Sequence, residues 1–161
     1  MKYLICSFPP LADKHSRILI LGTMPGVQSL QKQQYYAHPQ NAFWKIMFSI
    51  FAELPVPPDF ESRKQLLIDN GIALWDVLET CEREGSLDTN IKNSVPNKIP
   101  ELLAENPNIK AIFFNGKESH RLFTKAFGNT IPLPQFVMPS TSPANTMKFE
   151  EKLLKWKSLL V

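Results

Sequence analysis

Four short stretches of the chain are continuously apolar, and each ends at a residue that favours a turn. Apolar runs without strict alternation are typical of strands that are buried on both faces, as in parallel sheets. Glycine, asparagine or proline bounds each run and marks a connection to the next element. We therefore predict four buried strands: Arg17–Gly22, Ile72–Val77, Lys110–Asn115 and Gln135–Met138.

Between these strands, apolar residues recur at helical spacing. In the last such segment Phe149, Leu153, Trp156 and Leu160 fall on one helical face, and Asp59 stands where an N-cap would precede an earlier helix. The predicted helices are Asn41–Phe51, Glu61–Asn70, Lys98–Glu105, Lys117–Phe127 and about Thr146–Leu160.

Strands that alternate with helices indicate a parallel sheet with right-handed crossovers. We predict an α/β fold, a three-layer α/β/α sandwich around a central, mainly parallel four-stranded sheet. The length of 161 residues suits a single domain, residues 1–161, without linker or repeat. Because ligands bind such sheets at the carboxyl ends of the strands, we expect functional residues in the turns that follow them.

Composition narrows the class of protein only slightly. The net charge of +3 and the pI of about 8.9 permit a polyanionic partner without establishing one. No apolar run is long enough for a membrane span, and the N-terminus lacks signal-peptide features, so we expect a cytoplasmic protein with Cys6 and Cys81 reduced. The cysteines and histidines lack zinc-site spacing, so we expect neither a metal nor a cofactor.

The segment after the first strand carries the most candidate chemistry. Its GTMPG loop lets the backbone approach a ligand closely, but no Gly-Lys-Ser/Thr follows to make a phosphate-binding loop. Next, Tyr36, His38 and Asn41 combine an aromatic face with polar groups, whereas Phe43 and Trp44 are interpreted as helix core.

Two later turns offer polar groups at the same predicted edge of the sheet. The amide of Asn115 presents a donor beside an acceptor, which matches the polar edge of a nucleobase, although it could equally form a turn with Gly116. The loop after the fourth strand has hydroxyl groups suited to phosphates, and Asn145 could instead cap the last helix. The loop residues are Ser140, Thr141, Ser142 and Pro143.

Together these segments resemble a known family. GTMPGVQSLQKQQYYAHPQNAFW and MPSTSPAN are similar to the first and second motifs of the uracil-DNA glycosylase superfamily, and most closely to its hypoxanthine-DNA glycosylases. Trp75–Leu78, Gly85–Asp88 and Ser7–Pro10 resemble the same branch, so the resemblance runs from about Phe8 to the last helix. It implies a uracil-DNA glycosylase-like fold and a monofunctional enzyme that excises a deaminated base and leaves an abasic site. The deaminated base that the resemblance favours is hypoxanthine.

The resemblance also implies roles for single residues. Mismatch-specific uracil-DNA glycosylases carry a catalytic asparagine where this chain has Met24, which cannot orient water. In the hypoxanthine branch the catalytic asparagine matches Asn41, the aromatic residue that stacks on the base matches Tyr36, and the base-reading asparagine matches Asn115. The loop Ser140–Pro143 matches the segment that enters DNA.

Further residues complete the expected site. Gly22 and Met24 are placed with the base-binding residues, and Asp76 and His38 at the rim without assigned roles. The expected partner is DNA containing a deaminated base, bound by a monomer with no membrane association. Three alternatives stay open: a mismatch-specific uracil- or thymine-DNA glycosylase, a noncatalytic α/β module that binds nucleic acid, and an enzyme of free nucleosides.

Overall fold

The computed structural model describes residues 4–160, whose strands fall into two sheets. The strands are β1 (Leu4–Cys6), β2 (Ile18–Gly22), β3 (Ile72–Asp76), β4 (Leu78–Glu82), β5 (Lys92–Pro96), β6 (Ala111–Asn115) and β7 (Gln135–Met138). The helices are α1 (Val27–Lys32), α2 (Phe43–Phe51), α3 (Phe60–Asp69), α4 (Ile99–Glu105), α5 (Lys117–Phe127) and α6 (Phe149–Trp156), with 3-10 turns at Asp88–Asn90 and Lys157–Leu160.

The central sheet has four strands in the order β3-β2-β6-β7, and every neighbouring pair is parallel. These are the four predicted strands, each reproduced to within one residue at its ends. Alternate side chains of these strands enter two separate hydrophobic clusters, one on each face of the sheet.

Helices cover both faces of the central sheet. The cluster on one face takes buried side chains from α2, α3 and α6, and the cluster on the other face takes them from α4 and α5. The predicted three-layer α/β/α sandwich is therefore confirmed. The helical contributions are Phe43, Trp44, Met47, Leu67 and Trp156 on one face, and Ile99, Leu102, Leu122 and Phe123 on the other.

A small antiparallel sheet, in the order β1-β4-β5, was not predicted. β1 has only three residues, β4 and β5 carry mixed polar and apolar residues, and the β4–β5 register is irregular, so no long buried run and no strict alternation marks them. The charged run Glu82–Glu84 favours a solvated loop when only the sequence is considered, and this expectation is wrong for Arg83, which is only 3% exposed.

The helices differ from the prediction most clearly at α1, before α6 and at Asn145, whereas the ends of α2, α3 and α4 lie within two residues of the predicted ones. Helix α1 was missed, and α6 begins only at Phe149 because the chain before it forms turns. Asp59 caps α3, as predicted, by accepting a hydrogen bond from the Ser62 N–H at 3.0 Å. Asn145 caps no helix, since Lys148 is the residue that precedes α6. Among residues 4–160, no helix is both long and apolar enough to cross a membrane.

The two edges of the central sheet are protected unequally. At the β3 edge, Leu11 and Leu74 exchange two backbone hydrogen bonds of 2.9 Å, which covers the outer side of that strand. At the β7 edge, Phe136 and Val137 are each 43% exposed. The prediction that all four strands are covered on both faces is therefore wrong for β7, because helices reach this edge strand only in part.

Replacing Trp156 with phenylalanine should destabilise the fold. Trp156 is completely buried, and its Nε1–H donates to the Pro139 carbonyl at 2.9 Å. The variant loses that bond and leaves a small void, so the free energy of unfolding should fall by about 2–4 kcal/mol. Urea denaturation measures the change. Leu154→Ala, at an exposed position of the same helix, is the control and should stay within about 0.5 kcal/mol of wild type.

Candidate active site

The carboxyl ends of the parallel strands bring the candidate residues to one edge of the sheet. Gly22 ends β2, Asp76 ends β3 and Asn115 ends β6. In the sheet register Gly22 lies opposite Asp76, and Asn115 lies opposite Met138, directly before the loop that contains Ser140–Pro143. The turns that follow the four strands therefore meet, as the parallel sheet predicts.

Gly22 is in close contact with two polar side chains. A Cβ atom at this position would lie 2.6 Å from Asp76 Oδ1 and 2.7 Å from the Tyr36 hydroxyl oxygen. No real Cβ atom tolerates such distances, so only glycine permits this approach. Because Gly22 has no side chain, the Asp76 carboxyl and the Tyr36 phenol can both lie against the end of β2.

Tyr36 is held firmly although its backbone is unfavourable. Its φ angle is 54°, in the left-handed region that side chains other than glycine rarely adopt. Its ring stacks on Phe43 at a centroid distance of 4.2 Å. Its hydroxyl is buried without a hydrogen-bond partner among residues 4–160. Burial, and then the nearby charge of Asp76, raise the pKa of Tyr36, whereas the adjoining Asn115 lowers it, so the phenol stays protonated.

Asp76 is a buried carboxyl group next to this phenol. Its side chain is 3% exposed, and Oδ2 has no hydrogen-bond partner in the described part of the chain. Burial, followed by the negative charge of Asp88, raises the pKa of Asp76 to about 7, although Arg83 opposes the shift. Near neutral pH the group can therefore either donate or accept a hydrogen bond.

Asn115 makes two hydrogen bonds to Thr141. Its Nδ2 donates to the Thr141 hydroxyl and its Oδ1 accepts from the Thr141 N–H, each at 2.9 Å. The Thr141 carbonyl accepts from the Ala42 N–H at 3.0 Å. Thr141 is fully buried, so its hydroxyl accepts the hydrogen bond from Asn115 and is not available to a ligand at the protein surface. One N–H and one lone pair of the Asn115 amide are left for another group.

Asn41 directly precedes Ala42, whose N–H binds the Thr141 carbonyl, and lies just before α2. Its Oδ1 accepts a hydrogen bond from the Phe43 N–H at 2.9 Å, which fixes the orientation of the amide. Its own N–H donates to the His38 carbonyl at 2.9 Å. Within residues 4–160, the Asn41 Nδ2 has no hydrogen-bond acceptor, and the residue is half-buried. The amide is thus both positioned and accessible.

Two predicted site residues stay apart from the polar group formed by Gly22, Tyr36 and Asp76. Met24 is buried in the hydrophobic cluster that packs against α4 and α5. His38 is half-buried, and its Nδ1 accepts a hydrogen bond from the Gln40 N–H at 3.1 Å within its own turn. Met24 therefore supports the loop after β2, and His38 shapes the turn before Asn41.

Hydrogen bonds within the chain shape the loop after β7. The Ser140 hydroxyl accepts from the Ser142 N–H, the Ser142 hydroxyl accepts from the Ala144 N–H, and Pro143 is exposed. Lys152, which the sequence did not single out, donates to the carbonyls of Ser142 and Asn145 at 3.3 and 2.9 Å. The loop is thus held in a defined shape with its tip outward.

Arg83 is a second residue that sequence reasoning missed. Its guanidinium donates to the Pro25 carbonyl at 2.6 Å and to the Gly85 carbonyl at 2.8 Å. The neighbouring Ser86 hydroxyl accepts from the Val27 N–H at 2.9 Å. These bonds clamp the GTMPG loop to the turn after β4. Gly85–Asp88 is one of the segments that resemble the family, but no sequence pattern around Arg83 indicates that this cation is buried.

Two cavities lie away from this edge of the sheet. One, of about 740 Å³, lies at the amino ends of the strands, and another, of about 500 Å³, lies between β5 and α5. Neither is lined by Gly22, Tyr36, Asn41 or Asp76. The Tyr36 hydroxyl and Asp76 Oδ2 are themselves buried, so a ligand reaches these two atoms only when side chains around them move.

Comparison with known proteins shows the family of this chain. Residues 9–160 match the uracil DNA glycosylase superfamily. The chain belongs to that superfamily. This superfamily member is 37% identical over 151 residues to a hypoxanthine DNA glycosylase of Methanosarcina barkeri, covering 92% of this chain and 93% of that relative. It is 32% identical over 154 residues to a hypoxanthine DNA glycosylase of Methanosarcina acetivorans, covering 94% and 95%.

A solved structure shows the same fold. It is a solution NMR structure of a Methanosarcina acetivorans protein provisionally assigned as a uracil DNA glycosylase. The two chains superimpose with a TM-score of 0.82 at 31% identity, over 98% of this chain and 99% of that one. The resemblance stated from the motifs is thus confirmed for family and fold.

The buried carboxyl should give the stability a distinctive pH dependence. As pH rises from about 4, Asp76 in the unfolded chain releases its proton while the folded protein retains it up to about pH 7. The free energy of unfolding of wild type should therefore fall relative to Asp76→Asn across this range, by up to about 4 kcal/mol, and then level off. Urea titrations from pH 4 to 8 measure it. Parallel curves would contradict the assignment, and Glu84→Gln controls for loss of an exposed negative charge.

Proposed function

We propose that this glycosylase removes hypoxanthine from DNA by monofunctional hydrolysis of the N-glycosidic bond, which leaves an abasic site for base excision repair. The observation that carries the proposal is the group of Tyr36 and Asp76 at Gly22, whose buried polar atoms lack partners and lie beside the loop of Asn41. Both Methanosarcina relatives named hypoxanthine DNA glycosylase align with this entire region.

The proposed reaction begins when the damaged nucleotide leaves the base stack, at a cost of a few kcal/mol that is lower for a mispaired base. The extruded base stacks on the face of Tyr36 that is turned away from Phe43. Hypoxanthine presents the acceptor O6 beside the donor N1–H. The Asp76 carboxyl, with a pKa of about 7, and the unused groups of the Asn115 amide can meet both.

Asn41 is proposed as the catalytic residue. Because its Oδ1 is tied to the Phe43 N–H, the amide is already oriented and can hold a water molecule next to the sugar. Water that attacks an oxocarbenium-like carbon needs positioning more than deprotonation. Hydrogen bonds to the base stabilise the negative charge that develops on it as the glycosidic bond breaks. Met24 lies in the core, so the water-orienting role falls to Asn41.

The loop after β7 is proposed to enter the DNA. Pro143 is exposed at its tip and Ser140 and Ser142 are half-buried, whereas Thr141 anchors it from inside through Asn115. The exposed Lys117 begins the helix that follows β6, and the exposed Lys148 directly precedes the helix that follows this loop, where both can meet phosphates. We further propose that the protein acts as a monomer, in the cytoplasm.

A second candidate is a glycosylase for uracil or mispaired thymine. The provisional assignment of the Methanosarcina acetivorans NMR structure favours it. The replacement of the usual catalytic asparagine by Met24 speaks against it.

Matched oligonucleotides with one hypoxanthine, uracil or xanthine distinguish these functions. Alkali cleaves the strand wherever the enzyme has left an abasic site, and we expect cleavage first at hypoxanthine. Cleavage only at uracil would support the second candidate. Binding without any cleavage would point to a noncatalytic module, and turnover of free inosine would point to a nucleoside enzyme.

Changing Asn41 to alanine should reduce hypoxanthine excision by about 100-fold or more while DNA binding persists. Alanine also removes the hydrogen bond to the Phe43 N–H, worth about 1 kcal/mol of stability. Asn41→Ser can retain that bond but is too short to hold the water, so it should be equally inactive and more stable. Gln40→Ala, at the exposed neighbouring position, is the control. Wild-type excision by either Asn41 variant would refute the catalytic role.

A further inference from the structure

A groove of about 740 Å³ lies at the end of the central sheet opposite the candidate active site. Its lining includes Ile18 and Ala111, the first residues of β2 and β6, whereas the active-site residues end those strands. Four intervals of a strand span roughly 13 Å. The groove is therefore separate from the site of excision and has no part in the chemistry proposed above.

The floor of the groove is apolar and includes an exposed aromatic ring. Phe136 stacks on Phe113 with ring centroids 4.8 Å apart, yet 43% of Phe136 is exposed. Ile18, Ala111 and Pro134 extend this surface. The volume is in the range of sites that take a large apolar side chain or a small ligand.

The rim of the groove is cationic. It carries His15, Arg17 and Lys110, and no carboxylate is among the lining residues. A hydrogen bond of 2.8 Å from the Lys110 N–H to the Arg17 carbonyl keeps the two cationic residues side by side. Both residues are exposed, but the Arg17 guanidinium turns towards the start of β3 and donates to the Asn70 carbonyl at 3.1 Å. Lys110, on the β7 side, is therefore the cation that favours a ligand with negative charge.

The strand that carries Phe136 also has an open outer edge. Pro134 and Met138 accept hydrogen bonds from the Ile112 and Gly116 N–H groups, so alternate residues of β7 face β6. The backbone groups of Gln135 and Val137 then point outward, where no hydrogen bond from another part of residues 4–160 meets them. The strand has no charged residue to discourage pairing, unlike many protected edges.

We propose that the groove and the outer edge of β7 together bind an extended acidic segment of a partner protein. Its backbone pairs with Gln135 and Val137, an apolar side chain rests against Phe136, and a carboxylate faces Lys110. A nucleotide would use the ring and the cations but leave the strand edge unpaired. A second copy of this chain would bring two cationic rims together, and its own β7 has no acidic residue to offer.

A phage-displayed library of random short peptides tests the proposal on the intact protein. Selection on wild type should enrich peptides in which aspartate or glutamate flanks an aromatic or large aliphatic residue. A synthetic enriched peptide should bind wild type in fluorescence anisotropy, and Lys110→Glu should weaken it about tenfold or more. The matched control is Lys155→Glu, an equally exposed lysine on α6 outside the groove, which should bind as wild type does.

Two further measurements test the pairing at the strand edge and the alternative that a second copy of the chain occupies this surface. Phe136→Ser should weaken binding about tenfold, and so should N-methylation of alternate peptide residues, which blocks strand pairing. Equal binding to Lys110→Glu, enrichment of peptides without acidic residues, or indifference to N-methylation would overturn the proposal. So would sedimentation equilibrium that shows a dimer abolished by Phe136→Ser, because the surface would then join two copies of the chain. Urea midpoints confirm that the variants are folded.

Discussion

The pairing of the Asn115 amide with Thr141 is the interaction on which the candidate site depends. It joins the end of β6 to the loop after β7, and the Thr141 carbonyl extends the connection to Ala42 at the start of α2. Three segments that are distant in sequence are thereby fixed relative to Asn41. Because both partners are buried, losing one would leave the other without a hydrogen bond, at about 1–3 kcal/mol.

Close approach at Gly22 is the second constraint, and it has an energetic consequence. The Tyr36 hydroxyl and the Asp76 carboxyl are buried without full hydrogen bonding, and the Tyr36 backbone is in an unfavourable region. Such features each cost about 1–3 kcal/mol and persist only where surrounding structure holds them. Here the stacking of Tyr36 on Phe43 supplies part of that support. Unsatisfied polar atoms of this kind are what a base with complementary groups would satisfy.

The two ends of the central sheet have opposite characters. At the carboxyl ends, hydrogen bonds between loops close a small polar group, and access to it requires movement. At the amino ends, an open apolar groove is bordered by cationic side chains. The edges differ as well, since Leu11 covers β3 while β7 has no such cover in the described chain.

The sequence by itself determined the central sheet, its covering helices and the family, because buried parallel strands and amphipathic helices carry strong local patterns and the first motif is long. It also brought Gly22, Asp76 and Asn115 to one edge, since parallel strands end together. Tertiary structure alone decided that Thr141 and Met24 lie inside, that Arg83 and Lys152 hold the loops, and that β7 is half-exposed. Burial and hydrogen-bond partners depend on residues distant in the chain, and strand order determines which strand becomes an edge; no local pattern records either.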